Sequence, residues 1–100
     1  MISIVVICHN YGTFLPRCLE SLMKNKQRYL KEIIIINDSS SDNTKDIGEK
    51  YSRKYKKIKL YNKKFKSLSK STNFGIRKAK GEWVTKIDAD DYVSQNFLSG

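Results

Sequence analysis

Gly81-Glu82-Trp83-Val84-Thr85-Lys86-Ile87-Asp88-Ala89-Asp90-Asp91 is the stretch that decides the fold. A short apolar strand, Trp83 to Ile87, runs into three carboxylates within four residues. Side chains alternate along a strand, so Asp88 and Asp90 project to one side if extended geometry continues. Like charges that close repel unless a cation sits beside them. Oxygen donors alone suit a hard divalent ion, Mg²⁺ or Mn²⁺, which keeps some waters and also binds substrate phosphates. Open α/β sheets place ligands at the carboxyl ends of their strands. The stretch therefore reads either as a metal–diphosphate site or as a polar turn, where Asp is common.

Working outward, residues 69–80 predict a helix with Phe74, Ile76 and Ala79 as packing positions and Gly81 as its left-handed cap. Residues 62–68 are a basic loop, and Ile58 to Tyr61 alternates as a short, half-exposed strand. Glu32 to Asp38 is a solid β-branched strand. Ser39 to Thr44 follows it, offering N-caps, Asp42 among them, for a helix from about 43 to 55. That helix has Ile47 and Tyr51 as its apolar contacts. Ile2 to Cys8 is a continuous apolar run that suits a strand buried on both faces, and with no basic segment before it does not read as a signal peptide. Asn10-Tyr11-Gly12 is a turn. A helix from about Thr13, its cap, to about Asn25 aligns Phe14, Leu15, Cys18, Leu19, Leu22 and Met23 on one face. Asn96-Phe97-Leu98 begins another helix.

The order βαβαβαβ predicts an α/β fold, a Rossmann-like, parallel, doubly wound sheet with flanking helices, in a single domain over residues 1–100. The chain stops just after the carboxylates and so reads as cut short. Its hydrophobic share of 39% supports a folded core. No apolar run approaches the roughly 20 residues of a membrane-spanning helix. Cys8 and Cys18 lack a zinc spacing and sit in apolar surroundings, which points to buried free thiols in a reducing cytoplasm. A formal net charge of +10 admits three anionic partners: nucleic acid, a membrane surface or a phosphate-bearing small molecule. With 16 lysines against four arginines, base-specific nucleic-acid reading is disfavoured.

This topology gathers His9-Asn10, Asn37-Asp38 and Asp88-Ala89-Asp90 on one rim of the sheet. Asp38 is placed to accept hydrogen bonds from a base or ribose, or else to cap the second helix or its turn. His9 is read as a structural hydrogen-bonder, since no acid–base partner is identifiable for it. A Gly-x-Gly-x-x-Gly after the first strand is absent, which argues against a dehydrogenase.

Three blocks, taken together, resemble the amino-terminal part of the inverting family-two glycosyltransferases, enzymes of the GT-A fold that use nucleotide-sugar donors. They are Ser3 to Asn10 followed by Leu15 to Leu22, then Glu32 to Thr44, then Asn73 to Val84 running into Asp88-Ala89-Asp90-Asp91. The resemblance implies that Asp38 contacts the uracil of a UDP-type donor. Asp88, with Ala89 beside it, would lie near the ribose, and Asn73 would belong to the same nucleotide-sugar site. Asp90, helped by Asp88, would ligate the Mn²⁺ or Mg²⁺ that bridges the diphosphate, and Asp91 would be a weaker metal or sugar contact. The backbone at Cys8, His9 and Asn10 would line the nucleotide pocket. Three positions depart from the family pattern: Ile7 replaces Pro, Asn37 replaces Asp and Ser39 replaces Gly. The general base is expected downstream, so no catalytic residue is assigned in this stretch.

The implied activity is transfer of a sugar from a nucleotide-diphosphate donor to a saccharide or lipid-linked acceptor, in the cytoplasm at the inner face of the cell membrane. Association with an anionic membrane is a further expectation. Two other classes compete with the transferase. One is a non-catalytic nucleotide-binding module that forms a homodimer through an exposed sheet edge. The other is a basic nucleic-acid binder with tyrosines among the lysines of 51–66.

Overall fold

A computed structural model describes residues 1–10, 12–25 and 27–89. The expectations for Asp90, Asp91 and a helix at 96–98 lie outside these residues. Four strands, β1 (Ile2–Cys8), β2 (Leu30–Asp38), β3 (Ile58–Lys63) and β4 (Trp83–Asp88), form one sheet in the order β3-β2-β1-β4. All three pairings are parallel, with Val5 opposite Ile34 and Lys86, and Ile35 opposite Leu60. The helices α1 (Leu15–Met23), α2 (Thr44–Lys54) and α3 (Leu68–Lys78) make the crossovers. The expected α/β architecture is therefore present.

Alternation along the strands sorts the core into two layers. Ile4, Val6, Cys8, Ile33 and Ile35 pack with Leu15, Cys18, Leu19 and Leu22 of α1 and with Tyr51 of α2. Val5, Ile7, Ile34 and Ile36 form the second layer with Tyr61, Phe74 and Ala79. Each fully buried isoleucine is worth about 1.5–3 kcal/mol, so the unbroken run Ile33 to Ile36 makes β2 the axis that fixes both layers. The apolar character of β4 is deceptive. It is an edge strand, and Trp83 is 70% exposed.

Several local expectations need correction. Thr13 does not cap α1; Phe14 holds the cap position without a side-chain cap bond, and Pro16 sits in the first turn, where its missing N–H costs nothing. Phe14 and Ile76 are exposed, because each lies at the border of its helix's apolar stripe. Gly81 is not a left-handed cap. The chain leaves α3 through Ala79 in extended geometry, and no glycine has positive φ among the described residues. Its small size matters for another reason: a Cβ there would lie 2.7 Å from Ser3 Oγ and 2.9 Å from the Met1 carbonyl. Gly75 is the comparable contact on the other layer, where a Cβ would meet Val5 Cγ1 at 2.5 Å. Gly75→Ala should thus overpack the α3–β1 contact and cost about 1–3 kcal/mol, read as a lower denaturation midpoint. An unchanged midpoint would mean that α3 can lift off the sheet freely.

Candidate functional site

The parallel order brings the carboxyl ends of β1 and β2 side by side, with Cys8 opposite Asn37. Beyond them lies a cavity of about 460 Å³ lined by Ile7, His9, Asp38, Ser39, Lys66, Ser67 and Leu68. Ile7 and Leu68 supply apolar wall, His9, Asp38 and Ser39 supply polar groups at the strand ends, and Lys66 and Ser67 supply them from the loop before α3. Such a concave mix at a sheet's carboxyl rim is where α/β proteins hold ligands.

Asp38 is the hub of this wall and is only 5% exposed. Its Oδ1 accepts from the Lys66 backbone N–H at 2.9 Å and from Ser39 Oγ at 2.9 Å. Its Oδ2 accepts from the Ser67 N–H at 3.1 Å and from Ser71 Oγ at 2.9 Å. A carboxylate has about four lone-pair sites, and four donors fill them. Burial pushes this carboxyl upward, but the four hydrogen bonds outweigh it and hold it below the usual carboxylate range. Asp38 therefore ties the loop before α3 to the end of β2, and its acceptor capacity is spent within the chain.

His9 leans on the same strand end. Its Nδ1 lies 2.8 Å from the Asp38 carbonyl oxygen, which only accepts, so Nδ1 carries the proton and donates. In that neutral tautomer Nε2 remains an acceptor on a ring that lines the cavity. The structural bond expected of His9 is present, and it orients the ring.

The loops after β1 and β2 are laced together. Asn10 Oδ1 accepts from the Ser41 N–H at 2.7 Å and the Asp42 N–H at 3.2 Å, while the Asn10 N–H donates to Ser40 Oγ. In return Asp42 accepts from the Gly12 N–H at 3.0 Å and from the Thr44 N–H at 2.9 Å, and also takes the Thr44 hydroxyl. Asn43 holds the cap position of α2 without a side-chain cap bond, and Asp42, one residue ahead, takes the first helical N–H in its place. Burial raises its carboxyl, but these donors outweigh that and hold it low. Asn10, Ser39 and Lys66 are the non-glycine residues with positive φ among those described, at 59°, 59° and 53°, and all three sit at this rim. Such backbone costs energy and persists where surrounding bonds enforce it, commonly at binding sites. Ser39 falls at the position where the resemblance led us to expect Gly.

The other expected site residues separate into two groups. Asp88 stands opposite Ile7 at the end of β4, its side chain 54% exposed and its Oδ1 3.9 Å from Lys86 Nζ. Among the described residues its side chain makes no other hydrogen bond or ion pair, so it is available as a hard oxygen donor. Cys8 and Ala89 are fully buried in the α1-side layer, and only their backbone reaches the rim. Burial pushes the Cys8 thiol strongly upward, so it is inert; both cysteines are free. Asn73 is exposed on α3 and does not line the cavity, because it lies two residues, about 200° of turn, from the buried Ser71 and Gly75. Asn37 faces the opposite layer and donates to Asn62 Oδ1, while its own Oδ1 finds no partner among the described residues. Among the described residues no three His, Cys, Asp or Glu side chains converge as a metal cage. One carboxylate with waters and phosphate oxygens nonetheless suits Mg²⁺ or Mn²⁺, and Asp88 meets that requirement.

Lys66, Ser67 and Leu68 were read from sequence only as basic loop. Ser67 carried a legible signal, since its hydroxyl caps α3 by accepting from the Lys70 N–H at 3.3 Å. Nothing local announced that Lys66 and Ser67 would meet Asp38.

Comparison with known proteins agrees with this geometry. The model of glycosyl transferase family 2 matches residues 3–100. A putative glycosyltransferase, EpsH of Bacillus subtilis, is 35% identical over 96 residues, covering 96% of this chain and 28% of EpsH. The chain thus spans less than a third of that relative. The crystal structure of S. aureus TarS 1–349 in complex with UDP-GlcNAc superposes with a TM-score of 0.79 at 29% identity, over 98% of this chain and 29% of the other. The mannosyltransferase PcManGT from Pyrobaculum calidifontis, in complex with GDP-Man and Mn²⁺, reaches 0.84 at 18% identity, covers 98% of this chain and 30% of that one, and speaks for the fold alone. By a family match over nearly its whole length, the chain belongs to glycosyl transferase family 2.

Proposed function

We propose that this chain is the donor-binding part of a transferase that moves a sugar, with inversion, from a UDP-type donor to a saccharide or lipid-linked acceptor, assisted by Mn²⁺ or Mg²⁺. The observation that carries the reading is the rim cavity framed by Ile7, His9, Asp38, Lys66 and Leu68, on a fold that in TarS 1–349 holds UDP and UDP-GlcNAc.

In this reading Ile7 and Leu68 cover the flat faces of the base, and His9 Nε2 accepts from a base or ribose donor. Lys66 brings positive charge to a ligand that carries two phosphates. Asp38 contributes indirectly, by holding the Lys66–Ser67 wall, and the expected direct contact with uracil requires one of its four donors to give way. Asp88 and Asp90 would hold the divalent ion, and Asp91 is the weaker candidate for a metal or sugar contact. When bound, that ion neutralises negative charge on the departing diphosphate. The base that deprotonates the acceptor hydroxyl belongs to a part of the protein beyond these 100 residues.

Calorimetric titration of UDP into the chain tests this, with Mn²⁺ and again with chelator, on wild type and Asp90→Ala. The expected result is Mn²⁺-dependent binding that weakens at least tenfold in the variant, a loss of about 1.4 kcal/mol. Equal binding with and without metal would sink the assignment of Asp88 and Asp90. Failure to bind any nucleotide would sink the claim that this part carries a formed donor site.

A further inference from the structure

The net charge is not spread over the molecule. Residues 45–80 hold 14 of the 20 Lys and Arg but only two of the 10 Asp and Glu, so the remainder of the chain is slightly acidic. In the fold this segment is α2, β3 and α3, and β3 is a sheet edge. Lys70, Phe74, Arg77 and Lys78 recur at helical spacing on one flank of α3. That flank faces β3, because Tyr61 meets Phe74 edge-on at 5.2 Å and Lys78 Nζ lies 5.8 Å from the Tyr61 ring centre. On the other layer α2 packs Gly48 against Leu60 of β3 and leaves Lys45, Lys50 and Arg53 exposed. Lys63 and Lys64 lie at the end of β3, in a hollow shared with Lys45 of α2. The chain's excess positive charge is thereby laid along one edge.

Part of this has a structural use. Lys57 donates to the Gln27 and Leu30 carbonyls, and Lys59 pairs with Glu32. Lysines on an edge strand also discourage pairing with another sheet. Neither role needs the exposed cations of α2 and α3.

We propose that this edge is a docking surface for an anionic lipid bilayer, a conclusion independent of the donor reading. Twelve of the 14 cations are lysines, point charges that attract a diffuse negative surface without bidentate readout. The aromatic rings here are not free platforms for nucleic-acid bases. Lys63 and Lys78 ammoniums sit 4.6 and 5.4 Å from the Phe74 ring centre, and Tyr61 and Phe65 close on the same ring. Single-strand binding needs open ring faces. A bilayer needs only charge on one side, with alkyl stems lying over apolar surface. No helix among the described residues is long and apolar enough to cross a membrane, so attachment would be peripheral.

The test is co-sedimentation of the chain with phosphatidylcholine vesicles, with and without phosphatidylglycerol, at about 0.15 M salt. Two variants of equal net charge are compared: Lys64→Glu/Lys70→Glu/Arg77→Glu on the edge, and Lys24→Glu/Arg28→Glu/Lys31→Glu between the end of α1 and the start of β2, each checked for an unchanged melting temperature. All six side chains are exposed. The expected result is binding that requires phosphatidylglycerol, falls at least tenfold in the edge variant and less than threefold in the other. Equal losses in both would show that net charge alone acts and would overturn the surface. So would wild-type binding indifferent to phosphatidylglycerol. Tighter binding of single-stranded oligonucleotide than of vesicles, lost in the edge variant, would assign the edge to nucleic acid instead.

Discussion

Asp38→Asn is expected to lower stability by about 1–3 kcal/mol and to weaken UDP binding in the same step, although the substitution keeps the side chain's shape. The reason is the distribution of donors. Each carboxylate oxygen accepts one backbone N–H, from Lys66 at Oδ1 and from Ser67 at Oδ2. The serine hydroxyls can rotate to suit an amide, but a backbone N–H cannot. Whichever way the new amide turns, its NH₂ faces one of them, and a desolvated donor is left unpaired. The Lys66–Ser67 wall then loosens on one side. For a domain of this size the loss corresponds to a fall in Tm of roughly 10 °C, readable by calorimetry. Binding lost with no change in Tm would show that the carboxylate acts on the ligand directly.

The same substitution has a signature in pH. Asp38 and Glu32 both have carboxyls held below the ordinary range in the folded chain. In acid the unfolded chain therefore binds more protons than the folded one, so stability rises with pH there. The contribution is complete above the unfolded value near 4 and is lost as pH falls through the lower folded values. Asp38→Asn removes one of these groups, so its acid-unfolding curve should be shallower than that of wild type.

What the sequence disclosed, and what it hid, follows the range of the interactions. Ile33 to Ile36 can hardly be anything but a strand buried on both faces, and βαβαβαβ order then leaves little freedom in topology. The stripe Leu15, Cys18, Leu19, Leu22 was legible for the same reason, as a period. Periodicity says less at a stripe's borders, and Phe14 and Ile76 fell on the wrong side of them. Gly81 was misread because a glycine after a helix suggests a left-handed cap, whereas its real constraint comes from Ser3, 78 residues away. Asp38 was singled out in the sequence, but its four donors include Lys66, Ser67 and Ser71, 28 to 33 residues distant. The polar rim could be read from strand ends. The filling of its lone pairs could not.

Glu32→Ala should be the most damaging single change, costing about 3–5 kcal/mol, because it empties a buried polar anchor at the opposite end of the sheet. Glu32 is 1% exposed. Its Oε2 accepts from Ser3 Oγ at 2.7 Å and from the Lys80 N–H at 2.6 Å, while Oε1 pairs with Lys59 Nζ at 3.2 Å. Ser3 Oγ in turn accepts from the Gly81 N–H at 2.8 Å. The carboxylate therefore fixes the α3–β4 connection against the starts of β1 and β2, and with it the register that delivers Asp88 to the rim. Burial raises this carboxyl, but the Lys80, Ser3 and Lys59 interactions outweigh that and hold it low. Glu32→Gln should be mild, near 1 kcal/mol. Its carbonyl oxygen can take the Oε2 place and keep both inner donors, and its NH₂ displaces only Lys59, whose side chain is 43% exposed and can turn to water. The same carboxylate-to-amide exchange is thus expected to cost more at Asp38 than at Glu32, since only at Asp38 does each oxygen hold a backbone N–H. Chemical denaturation of the two amide variants side by side decides it. An equal or reversed order would mean that burial, and not the placement of the donors, sets the cost.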